Sequence, residues 1–154
     1  MGLTDRRHCG DDMLVIVRTD PIPSPTRVLV VDDEQPICDL LVRWLAAWDY
    51  SAAAALSADI AVEMMSAVPA NVLVCDVKMP GHDGLWLTEY VRSHWPDTAI
   101  VMATGLDDLE IVNASRRLGA VDYVLKPFSS VMMRQAVDLA AGRVQYRPSA
   151  RRNP

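Results

Sequence analysis

The 154-residue sequence predicts one α/β domain in which five βα units form an open parallel sheet covered by helices on both faces. Three observations predict it. Short apolar runs stand out at Val28–Val31, Val72–Cys75, Ala99–Met102 and Tyr123–Leu125, each continuous rather than alternating, as in strands buried on both faces. Stretches of helical period separate them. Each run leads into a polar residue and a turn signal: Asp32-Asp33, Asp76, Thr104-Gly105 and Lys126-Pro127.

The first helix follows from Ile37, Leu40, Leu41, Trp44, Leu45 and Trp48, which share one face at helical spacing. Next comes Ser51-Ala-Ala-Ala-Ala-Leu56. Alanine favours helix, but the regular βα alternation and the break at residues 48 to 51 argue for a second strand here. The second helix starts behind Ser57 as N-cap and buries Ile60, Ala61, Met64, Met65 and Val68. A third runs from near Gly84 to about His94. The fourth begins at Asp107-Asp-Leu-Glu110, which resembles a capping box, and stops at Leu118-Gly119. The fifth follows Ser129 or Ser130 and ends near Gly142.

Outside this domain, three prolines within Asp20–Thr26 mark a linker, so residues 1–26 read as an N-terminal extension. Met13–Val17 within it is a short accessory strand or an upstream extension of the reading frame. Residues 143–154 carry four arginines and no acid and read as a basic, disordered tail. On these bounds the chain as given has no room for an effector after the domain. The net charge of -5 conceals a domain, residues 27–142, with 16 acidic against 8 basic side chains. That balance excludes nucleic-acid binding through a broad basic surface. No apolar stretch reaches the roughly 18 to 20 residues of a membrane span, and no secretory signal opens the chain. Three cysteines without CxxC spacing imply neither a disulfide framework nor zinc, and the compartment reads as reducing and cytoplasmic.

The chemistry collects at the strand ends. Open parallel sheets bind ligands beyond the carboxyl ends of their strands. If the first and third strands are neighbours, Asp32, Asp33 and Asp76 converge, and three such carboxylates call for a cation. An all-oxygen set favours a hard ion such as Mg2+. Thr104 and Lys126 would flank the same pocket, and the whole suits a phosphoryl group. Asp76, alone on its strand, is the candidate nucleophile, because aspartate can form an aspartyl phosphate.

Four segments in order resemble the receiver domains of two-component response regulators: VLVVDDE (28–34), VLVCDVKMPGHDG (72–84), ATG (103–105) and LKPF (125–128). The intervals from Asp33 to Asp76, to Thr104 and to Lys126 are 43, 28 and 22 residues, which suit that family. The resemblance covers residues 27–142 and implies a flavodoxin-like fold of strand order 2-1-3-4-5. It implies Asp76 as phosphoacceptor, and Mg2+ held by Asp33, Asp76, Asp32 through water and the backbone carbonyl of Lys78. It implies Thr104 and Lys126 as phosphoryl-binding residues, Tyr123 as the switch aromatic and a cis Lys126-Pro127 bond. The donor would be a phosphohistidine on a sensor histidine kinase or a histidine phosphotransfer domain. The output would be a protein target on the face made by the fourth helix, fifth strand and fifth helix, a face that could also mediate a homodimer.

Such a domain is a phosphoacceptor that assists its own chemistry, not a turnover enzyme. Two other readings stand beside a stand-alone switch. The chain could be the receiver of a larger effector. A haloacid-dehalogenase-like aspartyl phosphatase shares the nucleophile and Mg2+ but needs Asp-x-Asp, whereas Val77-Lys78 follows Asp76 and Asp33-Glu34 follows Asp32. No GxxxxGK[ST] or GxGxxG loop supports a nucleotide-binding enzyme. Lys78 stands at the rim and is expected to modulate phosphoryl lifetime.

Overall fold

The computed structural model describes residues 24–105, 108–119 and 122–145. The expected accessory strand at Met13–Val17, most of the proline linker, residue Asp107 and most of the basic tail lie outside them. Ten elements alternate: β1 (Arg27–Val31), α1 (Gln35–Ala47), β2 (Ser51–Ala55), α2 (Ala58–Ala67), β3 (Val72–Asp76), α3 (Gly84–His94), β4 (Ala99–Thr104), α4 (Leu109–Arg117), β5 (Asp122–Leu125) and α5 (Ser130–Gln145). The five strands form one parallel sheet in the order β2-β1-β3-β4-β5, the flavodoxin-like arrangement expected.

The unbroken apolar runs are explained by the two faces of this sheet. Successive strand side chains point to opposite faces, so a strand covered on both sides must be apolar at every position. Val28, Val30, Val72, Val74, Val101 and Val124 join Cys38, Leu41 and Leu45 of α1 and Met133 and Val137 of α5 in one core. Leu29, Val31, Leu73, Cys75, Ile100 and Met102 build a second core with Met65 of α2 and Leu87 and Val91 of α3. Cys75, next to the candidate nucleophile, lies fully within this second core, and burial pushes its thiol up.

The alanine-rich segment is a strand, at the sheet edge. Its register against β1 runs from Arg27↔Ser51 to Val31↔Ala55. Pairing overrides helical propensity, and the small side chains leave room for large neighbours: Trp44, Trp48 and Tyr50 pack into the same core as Ala52 and Ala54. Asp49 takes φ 66° in the preceding turn, a conformation that Asp tolerates better than most residues.

Two expectations about helices are corrected. Ser57 caps α2 by accepting from the Ile60 N–H at 3.2 Å, but the buried face is Ala58, Ala61 and Met65. Ile60 and Val68, counted as core, are 43% and 49% exposed. Small alanines let α2 approach the sheet closely, which turns the larger residues outward. Asp107, the cap residue of the expected capping box, lies outside the described residues; Asp108 is the N-cap of α4, and its side chain makes no capping hydrogen bond. Gly142 lies inside α5, which continues to Gln145, because nothing at Gly142 demands a left-handed backbone and no Cβ would be obstructed there. The predicted stop at Leu118-Gly119 is found, with Gly119 at φ 95°.

Along α3, spacing of four residues stacks His82 on Trp86 (3.7 Å between centroids), Trp86 on Tyr90 and Tyr90 on His94 (4.0 Å). Both histidines are exposed, as expected of surface residues.

Candidate functional site

Sheet register carries the sequence-predicted residues to one place. Val31 pairs with Cys75, so the next residues, Asp32 and Asp76, stand level at the carboxyl ends of β1 and β3. Asp76 pairs with Ala103 and Thr104 pairs with Leu125, which brings Thr104 and then Lys126 to the same edge. Lys126 reaches back across the sheet. Its Nζ lies 3.1 Å from Asp76 Oδ1 and 3.3 Å from Asp32 Oδ2. The Lys126-Pro127 peptide is cis, and the Lys126 N–H donates to the Thr104 carbonyl at 2.8 Å.

Asp32 is 2% exposed, and its Oδ1 accepts the Glu34 N–H at 2.9 Å, which fixes the turn into α1. Asp33 is exposed and makes no ion pair among the described residues. Carboxylate oxygens of Asp32, Asp33 and Asp76 all lie within 4.8 Å of one another. Burial raises the Asp76 carboxyl above its ordinary value, Lys126 opposes that rise, and Asp32 and Asp33 reinforce it. For Lys126, burial alone would depress the ammonium, but Asp76 and Asp32 outweigh it and the net direction is upward. Among the described residues, the three-acid cluster thus holds one ammonium, paired with two of its members. This oxygen-only, charge-deficient donor set fits a hard divalent cation.

Close packing behind Asp76 is enforced by Gly84. A Cβ there would fall 2.2 Å from the Asp76 carbonyl oxygen, so only glycine lets the first turn of α3 sit against the end of β3. The Gly84 N–H donates to the Val77 carbonyl at 2.8 Å, and Asp83 caps the helix by accepting from Trp86 N–H.

Thr104 is buried at 1% exposure, and its hydroxyl donates to the Gly105 carbonyl at a long 3.4 Å. Tyr123 is half-buried. Met102 and Tyr123 are register partners, and alternation puts Thr104 on the same face as Met102. Thr104 and Tyr123 therefore project from one face of adjacent strands. The Arg116 guanidinium lies 4.8 Å from the centre of the Tyr123 ring.

Lys78 is not drawn into the acid cluster by its side chain, which is 71% exposed and pairs with Asp108 at 3.0 Å. Sequence reasoning placed Asp108 only within the start of the fourth helix and missed this contact. Its carboxylate is 11% exposed and lies near Gly105, at the mouth of the site. No spacing rule signals a contact between two loops; the only hint was an acid beyond the Thr104-Gly105 turn.

Comparisons with known proteins agree with this geometry. The response regulator receiver domain model matches residues 28–138. The regulatory protein AtoC of Escherichia coli K12 is 27% identical over 125 residues, covering 79% of this chain and 27% of that protein. The regulator of RpoS from the same organism is 28% identical over 101 residues, covering 66% of this chain and 30% of its own length. The chain thus spans under a third of either relative. Among solved structures, the receiver domain of NtrX from Brucella abortus superposes with a TM-score of 0.72 at 28% identity, covering 75% of this chain and 98% of that one.

Proposed function

This chain belongs to the response regulator receiver domain family of two-component signalling, and we propose that it accepts a phosphoryl group on Asp76 and converts it into a change of protein-binding surface. The observation that carries the reading is the joint attachment of Lys126 to Asp76 and Asp32 within the three-acid cluster. The donor is a phosphohistidine of a sensor histidine kinase or a histidine phosphotransfer domain, in the cytoplasm.

An Asp76 oxygen attacks the phosphorus, a P–O bond forms, and the P–N bond breaks with its electron pair leaving on the imidazole nitrogen. Lys126, already beside Asp76, stays to pair with a phosphoryl oxygen, and the loosely held Thr104 hydroxyl turns to donate to another. Asp33, Asp76, the Lys78 carbonyl and Asp32 through water are the residues that would hold Mg2+. When bound, that ion neutralises charge on the transferring group. The chain is consumed and restored as a phosphoacceptor and turns over no separate substrate.

Movement of Thr104 opens space on the face it shares with Tyr123, and Tyr123 turns inward. Swinging a two-state surface from 1:99 to 99:1 requires about 5.5 kcal/mol of preference, within reach of a few charge-assisted hydrogen bonds. The surface concerned is a groove of about 490 Å³ lined by Arg116, Tyr123, Leu125, Met132, Gln135 and Leu139, between α4, β5 and α5. Met132 and Leu139 leave large apolar side chains exposed there, which suits a downstream protein or a second copy of the chain.

Substituting Asp76→Asn should abolish Mg2+-dependent labelling by acetyl phosphate, and acid-stable label retained on the variant would overturn the assignment. A second reading, a receiver that is one part of a longer regulator, draws support from relatives more than three times as long as the matched region. A reading frame continuing past Pro154 is its test.

A further inference from the structure

The contact between Lys78 and Asp108 joins two loops that both border the acid cluster. Lys78 stands two residues beyond Asp76, in the loop between β3 and α3. Asp108 precedes α4, in the loop beyond Thr104. Asp108 occupies the N-cap position of α4, where an Asp side chain ordinarily accepts from the N–H of the second or third helical residue. Here it makes no such bond, and its carboxylate goes to Lys78 at 3.0 Å. Acid and ammonium are unequally held: Asp108 is 11% exposed, whereas Lys78 is 71% exposed on a long, mobile stem.

We propose that the Lys78–Asp108 pair is a latch that withholds the α4 cap in the resting protein and releases it on phosphorylation. The proposal rests on Asp76 as phosphoacceptor. A phosphoryl group there puts roughly two negative charges, further out toward the rim, where the Asp76 carboxylate carried one. That doubly charged group outcompetes the single carboxylate of Asp108, and the exposed lysine swings from one to the other. Asp108, freed, turns its oxygens to the first-turn N–H groups of Glu110 and Ile111, which pulls the start of α4 into a capped helix. One side chain thereby carries the signal from the site to the helix that borders the α4–β5–α5 groove. The same swing places Lys78 over the phosphoryl group, where it obstructs the water whose attack on phosphorus would break the P–O bond, return the Asp76 carboxylate and release inorganic phosphate.

Amide hydrogen exchange at Glu110 and Ile111 and the half-life of the aspartyl phosphate test the latch in the full chain. Without any phosphoryl donor, Lys78→Met should slow exchange at both amides about tenfold relative to wild type, because Asp108 is already free to cap. Adding Asp108→Ala to Lys78→Met should cancel that gain, and Asp108→Asn, which weakens the hold on Lys78, should lengthen the phosphoryl half-life. Lys78→Met should shorten it about tenfold. Unchanged exchange in Lys78→Met, or a gain that survives removal of Asp108, would overturn the proposal. The resting-state measurement needs no phosphorylation, so its failure is separable from a failure to label Asp76.

Discussion

The loops after β5 and after β3 each place a lysine beside the acid cluster, and they hold its charge on different terms. Lys126 has 29% of its side chain exposed and touches two acids, Asp32 and Asp76, themselves 3% and 11% exposed. Lys78 has 71% exposed and touches one, Asp108. A buried ammonium that bridges two carboxylates cannot leave without stranding both, whereas an exposed one exchanges its partner for water at little cost. The difference separates a structural charge, fixed within the acid cluster, from a movable one that, under the proposed function, is able to report the arrival of a phosphoryl group.

The sharpest way to break this contrast is to remove the buried ammonium. Lys126→Met leaves Asp32 and Asp76 facing each other without a counter-charge, and metal-free protein should lose about 3 kcal/mol of unfolding free energy. Urea denaturation measures it, and Mg2+ should recover part of the loss by replacing the missing positive charge. An unaltered midpoint would mean that the two acids are not held ionised by Lys126.

The fold and the site were legible in the sequence to different depths, for physical reasons. β1, β3 and β4 were plain because burial on two faces makes every position apolar, and the convergence of Asp32, Asp76, Thr104 and Lys126 follows from strand-end positions plus parallel register. β2 was legible only through topology, since Ser51–Ala55 has the propensity of a helix and is a strand because β1 pairs with it. The packed face of α2 was read correctly at Ala61 and Met65 but misread at Ile60 and Val68, because hydrophobicity ranks them above Ala58, which is the residue that packs. Asp108 was invisible as a site residue. A cap acid and a latch acid look alike in a sequence, and only the loop contact with Lys78 tells them apart.

A smaller effect should appear on titration, and it sharpens what Lys126 does and does not offset. Burial, with Asp32 and Asp33, leaves the Asp76 carboxyl above its ordinary value despite Lys126. A carboxyl whose folded pKa exceeds its unfolded one binds more protons when folded, so its contribution to stability is fully present below the unfolded pKa. That contribution is lost as pH rises through the folded pKa. Metal-free wild type should therefore lose stability relative to Asp76→Asn as pH climbs from the ordinary aspartate range toward neutrality. Paired urea titrations at several pH values read the difference; a gap that stays constant with pH would show that Asp76 ionises as if solvated.

The smallest effect belongs to the exposed lysine, and its smallness is what gives the contrast meaning. An ion pair with one partner 71% exposed is screened by solvent and held at an entropic cost, so Lys78→Met should change the unfolding free energy by about 0.5 kcal/mol or less. Any uncapped strain relieved when Asp108 turns to α4 works in the opposite direction and keeps the net change near zero. Thermal or urea midpoints that barely move, beside a phosphoryl half-life that does, would mark Lys78 as a residue acting on the lifetime of a state rather than on the fold. If Lys78→Met instead cost as much as Lys126→Met, the two loops would be equivalent supports of the cluster. The freedom to exchange partners that the latch requires would then be absent.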